Sequence, residues 1–235
     1  MKRISMISVV LAIALLLGIQ STSHATLTLY ITDNGGHTAL IPDGSGLDTN
    51  ITPGIVQWTG SLGTWTDVSV TGYSKPAVGS AAKPELDSHV GSLGAGSLTI
   101  LASEIGFGPA SGTIQFQATV GGTFASNASG QFKYFLDTGN TLFGPGGTGG
   151  SHGTQLASLS FSEPPINFSG GVSGGANLGP NSIPYSLTVE SDINHPSAGL
   201  TTFDQNLRAP EPTTLILLGS GLAALGIWTR RRFRR

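Results

Sequence analysis

Three stretches of the chain alternate apolar and polar side chains with a period of two: Leu27, Leu29, Ile31; then Ile114, Phe116, Ala118, Val120; then Tyr185, Leu187, Val189. The positions between them are mostly Thr, Gln or Ser. Successive side chains of a strand point to opposite faces, so each stretch reads as a strand buried on one side. No window between Thr26 and Arg208 keeps a 3.6-residue apolar period for three turns, and helices are therefore not expected there. Weaker strand patterns occupy 55–59, 65–71, 97–102, 131–137 and 157–161. Glycine makes up 35 of 235 residues, which favours short strands joined by turns. Eight or so such strands predict an all-β fold, a single antiparallel β-sandwich of possible jelly-roll type, with a barrel as the alternative. The glycine-rich runs 144–150 and 170–175 read as mobile loops, because they offer little to bury.

The two ends of the chain have a different character. Lys2 and Arg3 precede an apolar run over 6–19, and Ser23-His24-Ala25 forms a small-x-small cleavage site, so residues 1–25 read as a signal peptide. Secretory translocon and signal peptidase are the partners this implies. At the other end Pro210-Glu211-Pro212 leads into 17 uncharged residues over 213–229, followed by Arg230, Arg231, Arg232, Arg234 and Arg235. As a helix the uncharged stretch reaches about 25 Å, near the lower limit for crossing a bilayer. Gly219, Gly221 and Gly226 would each cost about 1 kcal/mol against alanine in a water-soluble helix, and are better tolerated in a membrane. Clustered arginines stay on the cytoplasmic side, which places everything before Pro210 outside the cytoplasm. The expected organisation is a signal peptide over 1–25, a sandwich domain over 26–204, a spacer over 205–209 and a C-terminal signal over 210–235.

The order of proline-glutamate-proline, short apolar helix and terminal arginines resembles the PEP-CTERM sorting signal of Gram-negative bacteria that make exopolysaccharide. That resemblance implies a membrane-embedded exosortase that reads Pro210, Glu211 and Pro212 and removes the helix. It implies an inner-membrane intermediate followed by the cell surface or extracellular matrix. Prolines on both sides of Glu211 suit such a role, since they hold the segment extended. A second likeness lies between Gly60 and Asn140, in the succession GSLGTWTDVSVTGYSKPAVGSAAKPELD, GAGSLTILASEIGFG and QFKYFLDTGN, and again in PYSLTVESDINHPSAGLTTFD from Pro184 to Asp204. These segments are similar to ectodomains of PEP-CTERM proteins, and imply a surface or matrix protein without known catalytic residues.

Charge and composition exclude several chemistries. Residues 26–209 hold eight Asp and four Glu against three Lys and one Arg, a net charge of −8. A face this acidic argues against binding nucleic acid, which needs cations to displace counterions. The absence of cysteine excludes thiol catalysis and cysteine-bound zinc. Two GxSxG matches, at Ser151 and Ser173, lack the following helix that a nucleophile elbow requires. A GxGxxG match over 144–149 fails for the same reason. The exported histidines His37, His89, His152 and His195 are scattered and read as solvated or turn residues. Acidic turns at Asp33, Asp43 and Asp137 offer oxygens of the kind that bind calcium, although Asp also favours ordinary turns, so no cofactor is expected and calcium is a weak alternative. Trp58, Trp65 and Tyr73 form a possible sugar platform, weighed against a place in the core.

The resulting expectation is a non-enzymatic exported protein of the cell surface or matrix, associated with exopolysaccharide or biofilm. A carbohydrate-binding module is the alternative, and a secreted serine hydrolase a third reading.

Overall fold

Each alternating stretch turns its apolar set inward, and the two layers so formed close on one another. The computed structural model describes residues 27–33, 35–75, 77–78, 83–164, 166–181 and 183–209. Within them run β1 (Thr28–Asp33), β2 (Thr38–Pro42), β3 (Ile55–Leu62), β4 (Trp65–Tyr73), β5 (Glu85–Ser92), β6 (Gly96–Ala110), β7 (Thr113–Thr123), β8 (Ser129–Asp137), β9 (Thr154–Ser162), β10 (Asn167–Asn177), β11 (Ile183–His195) and β12 (Gly199–Arg208). Sheet A has the order β2-β1-β6-β11-β8-β9, and sheet B the order β10-β7-β12-β5-β4-β3. Neighbours pair antiparallel throughout. Two separate six-stranded sheets make this an all-β sandwich and set aside the barrel. The signal peptide, with Ser23 and Ala25, lies outside the described residues, as do Pro210, Glu211, Pro212, the stretch 213–229 and the terminal arginines.

The core lies between the sheets. Sheet A contributes Leu29, Ile31, Ile100, Ala102, Tyr134, Leu187 and Val189, and sheet B contributes Val56, Val68, Val70, Leu86, Val90, Phe203 and Leu207, all buried. Phe124, Phe132, Phe161, Phe168 and Phe203 form one aromatic cluster, with Phe124 and Phe168 stacked at 4.2 Å. Two polar ties cross the gap between the layers. The Tyr134 hydroxyl donates to the Thr119 carbonyl at 2.9 Å, and Gln205 Nε2 donates to the carbonyls of Lys133 and Glu190, each at 3.2 Å. Buried polar groups need such partners, so these bonds fix how one sheet sits on the other.

Four expectations require correction. The strands number twelve among the described residues, because β5 and β12 turn polar side chains inward where alternation would show apolar ones: Ser88 and Ser92 on the first, Thr201 and Gln205 on the second. The run 170–175 belongs to β10 and is no loop. Its missing side chains are replaced by rings: a methyl at Gly170 would stand 2.7 Å from Phe161 Cζ, and one at Gly174 2.8 Å from Phe116 Cζ. The run 144–150 is part of a segment pinned to the outer face of sheet A, described below. Residues 205–209 form no spacer, since β12 continues to Arg208 in the middle of sheet B, and Gln205, Leu207 and Ala209 are each 0% exposed.

Candidate functional site

A sandwich has two outer faces, and here they differ in kind. On sheet B, cross-strand pairing lines up outward residues in rows. One row holds Tyr73, Glu85, Asn206 and Thr119, and the next holds Thr71, Asp87, Asp204 and Gly121. Asp87 and Asp204 stand directly opposite one another, an arrangement that destabilises a sheet. Burial pushes the Asp204 carboxyl up, and repulsion from Glu85 and Asp87 pushes it further, with Lys83 opposing. Burial likewise raises the Tyr73 phenol, helped by Asp87, Glu85 and Asp204. Glu85, Thr119, Val120, Gly121, Asp204 and Asn206 line a shallow groove of about 460 Å³. The arrangement presents a tyrosine, an amide, a hydroxyl and three carboxylates on one flat surface, which is a set of groups suited to accepting hydrogen bonds from a ligand rich in hydroxyls.

The outer face of sheet A is covered in part. The segment 138–153, which connects β8 to β9, folds back over it. Phe143 is buried against Tyr30, with ring centres 6.2 Å apart, and its N–H donates to Ser103 Oγ at 2.9 Å. His152 sits 2.6 Å from the Phe143 carbonyl through Nδ1 and 3.3 Å from Glu190 Oε2 through Nε2. Lys133 Nζ bridges Glu190 at 2.8 Å and Asp192 at 2.6 Å. Burial raises the Glu190 carboxyl despite Lys133, and Asp192 adds to the rise. Gly144 completes the fold-back: its φ is +74°, and a methyl there would lie 2.3 Å from the His152 carbonyl carbon. These contacts lock the segment onto the part of sheet A around Tyr30, Ser103 and Glu190.

The sequence-predicted aromatics do not come together. Trp65 is fully buried and stacks on His195, with ring centres 4.6 Å apart. Trp58 turns to the same inner side of sheet B and packs against the core. Tyr73 alone faces outward, so a single platform built from Trp58, Trp65 and Tyr73 is ruled out. The reason is parity. Trp58 pairs with the inward Val70, whereas Tyr73 is three residues further along β4 and faces the other way.

The histidines also divide. His37 and His89 are exposed, 2.8 Å from Asp33 and 3.0 Å from Asp67 respectively. His152 and His195 are buried, against expectation. His195 lies 2.8 Å from both Ser92 Oγ and Thr201 Oγ1 beneath Trp65. A serine beside a histidine suggests nucleophilic chemistry, but His195 is 0% exposed and no substrate reaches it. Ser173 lies in mid-strand on β10 and Ser151 in the connecting segment, so neither stands between a strand and a helix.

The acidic turns are closed on themselves. Asp33 Oδ1 accepts from the N–H of Gly35 and of His37, Asp43 Oδ2 from Gly54, and Asp137 from Gly139 and Thr141. Burial would raise the Asp137 carboxyl, but the bonds from Thr141 and Gly139 outweigh it and the net direction is down. Among the described residues no three His, Asp or Glu side chains are grouped to hold a metal ion. The carboxylates of the sheet B face were missed by sequence reasoning. Their signal was present as alternation in β5 and β12, where Glu85, Asp87 and His89, and Asp204 and Asn206, occupy every second position.

Comparison with solved structures gives distant likenesses. One is the structure of TmCBM61 in complex with β-1,4-galactotriose, at 12% identity and a TM-score of 0.32, covering 60% of this chain and 81% of that one. Another comes from carbohydrate-binding modules of the β-sandwich superfamily, at 15% identity and a TM-score of 0.33, covering 78% and 71%. A third is the enzymatically active domain of tailspike protein 4 from bacteriophage CBA120, at 11% identity and 0.33, covering 71% of this chain and 21% of that one. Scores this low bear on neither site nor substrate. No curated protein matches the chain. The match that does assign something begins where β12 ends: residues 208–232 fit the family model of the PEP-CTERM protein-sorting motif, and the chain therefore carries this motif, the mark of an exported protein sorted to the cell surface.

Proposed function

We propose that the chain is a non-enzymatic protein of the cell surface or extracellular matrix, delivered through Pro210, Glu211 and Pro212 with exosortase as its processing partner and exopolysaccharide as the material around it. The observation that carries this reading is the continuity of β12 with the motif. Ala209, fully buried, is followed directly by Pro210, so the sandwich itself is the cargo and nothing intervenes between it and the sorting signal. Its acidic surface suits a solvated exterior location. Substitution Glu211→Ala, followed by cell fractionation, tests the reading. The variant is expected to stay in the membrane fraction at unprocessed length, and unchanged delivery to the surface would remove the sorting role.

A second reading is favoured by the outer face of sheet B. There Tyr73, Asp87, Asp204 and Asn206 offer one aromatic ring and several hydrogen-bond acceptors to a sugar chain. Affinity electrophoresis of the full chain through gels containing exopolysaccharide should show retardation that Tyr73→Ala weakens severalfold. Equal mobility of wild type and variant would leave this face without a ligand. A serine hydrolase draws no support from the positions of Ser92, Ser151 and Ser173.

A further inference from the structure

Edge strands expose unpaired backbone N–H and C=O groups, and proteins usually blunt them with charge, proline, bulges or short length. Three of the four edges in this sandwich are blunted. Strand β2 is only five residues long and ends at Pro42. Strand β3 shifts register between Gly60 and Leu62, and β9 shifts opposite Tyr134 and Phe135. Strand β10 has none of these devices. It runs for 11 residues without a charge or proline, pairs with β7 in unbroken register from Asn167 to Asn177, and among the described residues has no hydrogen-bonded neighbour on its other side, although Phe161 of β9 in the facing sheet packs near Gly170. The domain carries a net charge of −8, yet no residue of β7, β9 or β10 is charged. Electrostatic repulsion between copies is therefore low along this side.

The sequence of β10, NFSGGVSGGAN, is centred on Val172, with identical residues at equal distances from it in two pairs, Asn167 with Asn177 and Gly170 with Gly174. We propose that β10 pairs antiparallel with β10 of a second copy of this chain, about a twofold axis through Val172, joining two B sheets into one. In that register Val172 meets Val172, Gly170 meets Gly174, Gly171 meets Ser173, Ser169 meets Gly175, Phe168 meets Ala176 and Asn167 meets Asn177. Residues from the inner face meet inner residues and outward residues meet outward ones. No like charges oppose one another, Phe168 faces the small Ala176, and only valine and asparagine meet their own kind. An isologous contact of this kind closes on itself and yields a dimer. This goes beyond delivery to the surface and does not depend on it.

The chain has no cysteine, so a single introduced thiol reports the contact without background. Val172→Cys in the full chain, oxidised in mild detergent and on intact expressing cells, is expected to give a reducible product of twice the chain mass. Ser61→Cys, exposed on the edge strand β3 at the opposite side, serves as control and should give at least tenfold less. Adding Ser173→Lys to Val172→Cys sets two lysines beside the axis and should lower the dimer at least tenfold with the thermal midpoint unchanged. Sedimentation of the chain without any cysteine gives an independent measure: two chains for wild type, one for Ser173→Lys. Absence of the Val172→Cys dimer, equal yield from Ser61→Cys, indifference to Ser173→Lys, or a product joined to a different protein would each overturn the proposal, the last in favour of a foreign strand.

Discussion

His195 shows how much a single position in this sandwich depends on distant partners. Burial lowers its imidazole from about 6.5 to about 4. Between those values the unfolded chain takes up a proton that the folded chain refuses. Stability is therefore fully present above pH 6.5 and falls as the pH drops towards 4, by about 3 kcal/mol in total from this residue. Urea unfolding across that range should show a steeper decline in wild type than in His195→Gln, and parallel curves would mean that the imidazole is not shielded as described. Asp204 acts with the opposite sign. Its folded carboxyl is raised, so stability is lost as the pH rises from about 3.8 through the raised value. Asp204→Asn is expected to stabilise the protein at pH 7 by about half a kcal/mol, with the gain vanishing near pH 3, as thermal midpoints at the two pH values would reveal. Neither behaviour was legible in the sequence. One partner of His195, Ser92, lies 103 residues away, and the other, Thr201, is brought to it only by the turn into β12.

At the scale of elements, the strands that carry apolar alternation were located from sequence, although β11 runs six residues beyond the stretch 185–189, and those that fill space by other means were not located. Strand β10 lacks inward side chains at Gly170 and Gly174 because Phe161 and Phe116 occupy that volume, so its inward face carries too few side chains for the period to show. The run 144–150, within the segment 138–153, was misread for a related reason. Its glycines are what allow close approach, and Phe143 and His152 supply the anchorage that the glycines lack. Phe143 itself holds φ at +60°, unusual for a bulky residue, which its contacts with Tyr30 and Ser103 must sustain. Phe143→Ala should cost about 3 kcal/mol and free the segment. Limited proteolysis would then cut within 144–153 well before the rest of the domain, and a variant as resistant as wild type would show that the anchor lies elsewhere. Of the candidate site, Tyr73 was found and its acidic neighbours were not, because two strands brought from 85–87 and 204–206 supply them.

For the whole molecule, the boundary of the domain matters most. The sequence reading places it at residue 204, ahead of a spacer over 205–209, but Gln205, Leu207 and Ala209 are core residues. A chain that stops after residue 204 should fail to fold cooperatively, whereas one that stops after residue 209 should unfold with the midpoint of the intact domain. Circular dichroism on both would decide, and equal midpoints would restore the earlier boundary. Fold class and sorting motif were legible from alternation and from the C-terminal stretch, since both depend on patterns within short windows. The join between them was not, since it depends on the neighbours of β12.

Those neighbours also set how the domain responds to force. Strand β12 is gripped on one side by β5 over eight register pairs, Gly199 to Asn206, and on the other by β7 over seven, Thr202 to Arg208. Tension applied at the C-terminal end along the strand reaches both ladders together and strains them in shear, so no single pair can part ahead of the others. A domain tethered by its C-terminus is thus held by the middle of a sheet, and will resist extraction by flow or drag far better than one hung from an edge strand that could be peeled away pair by pair.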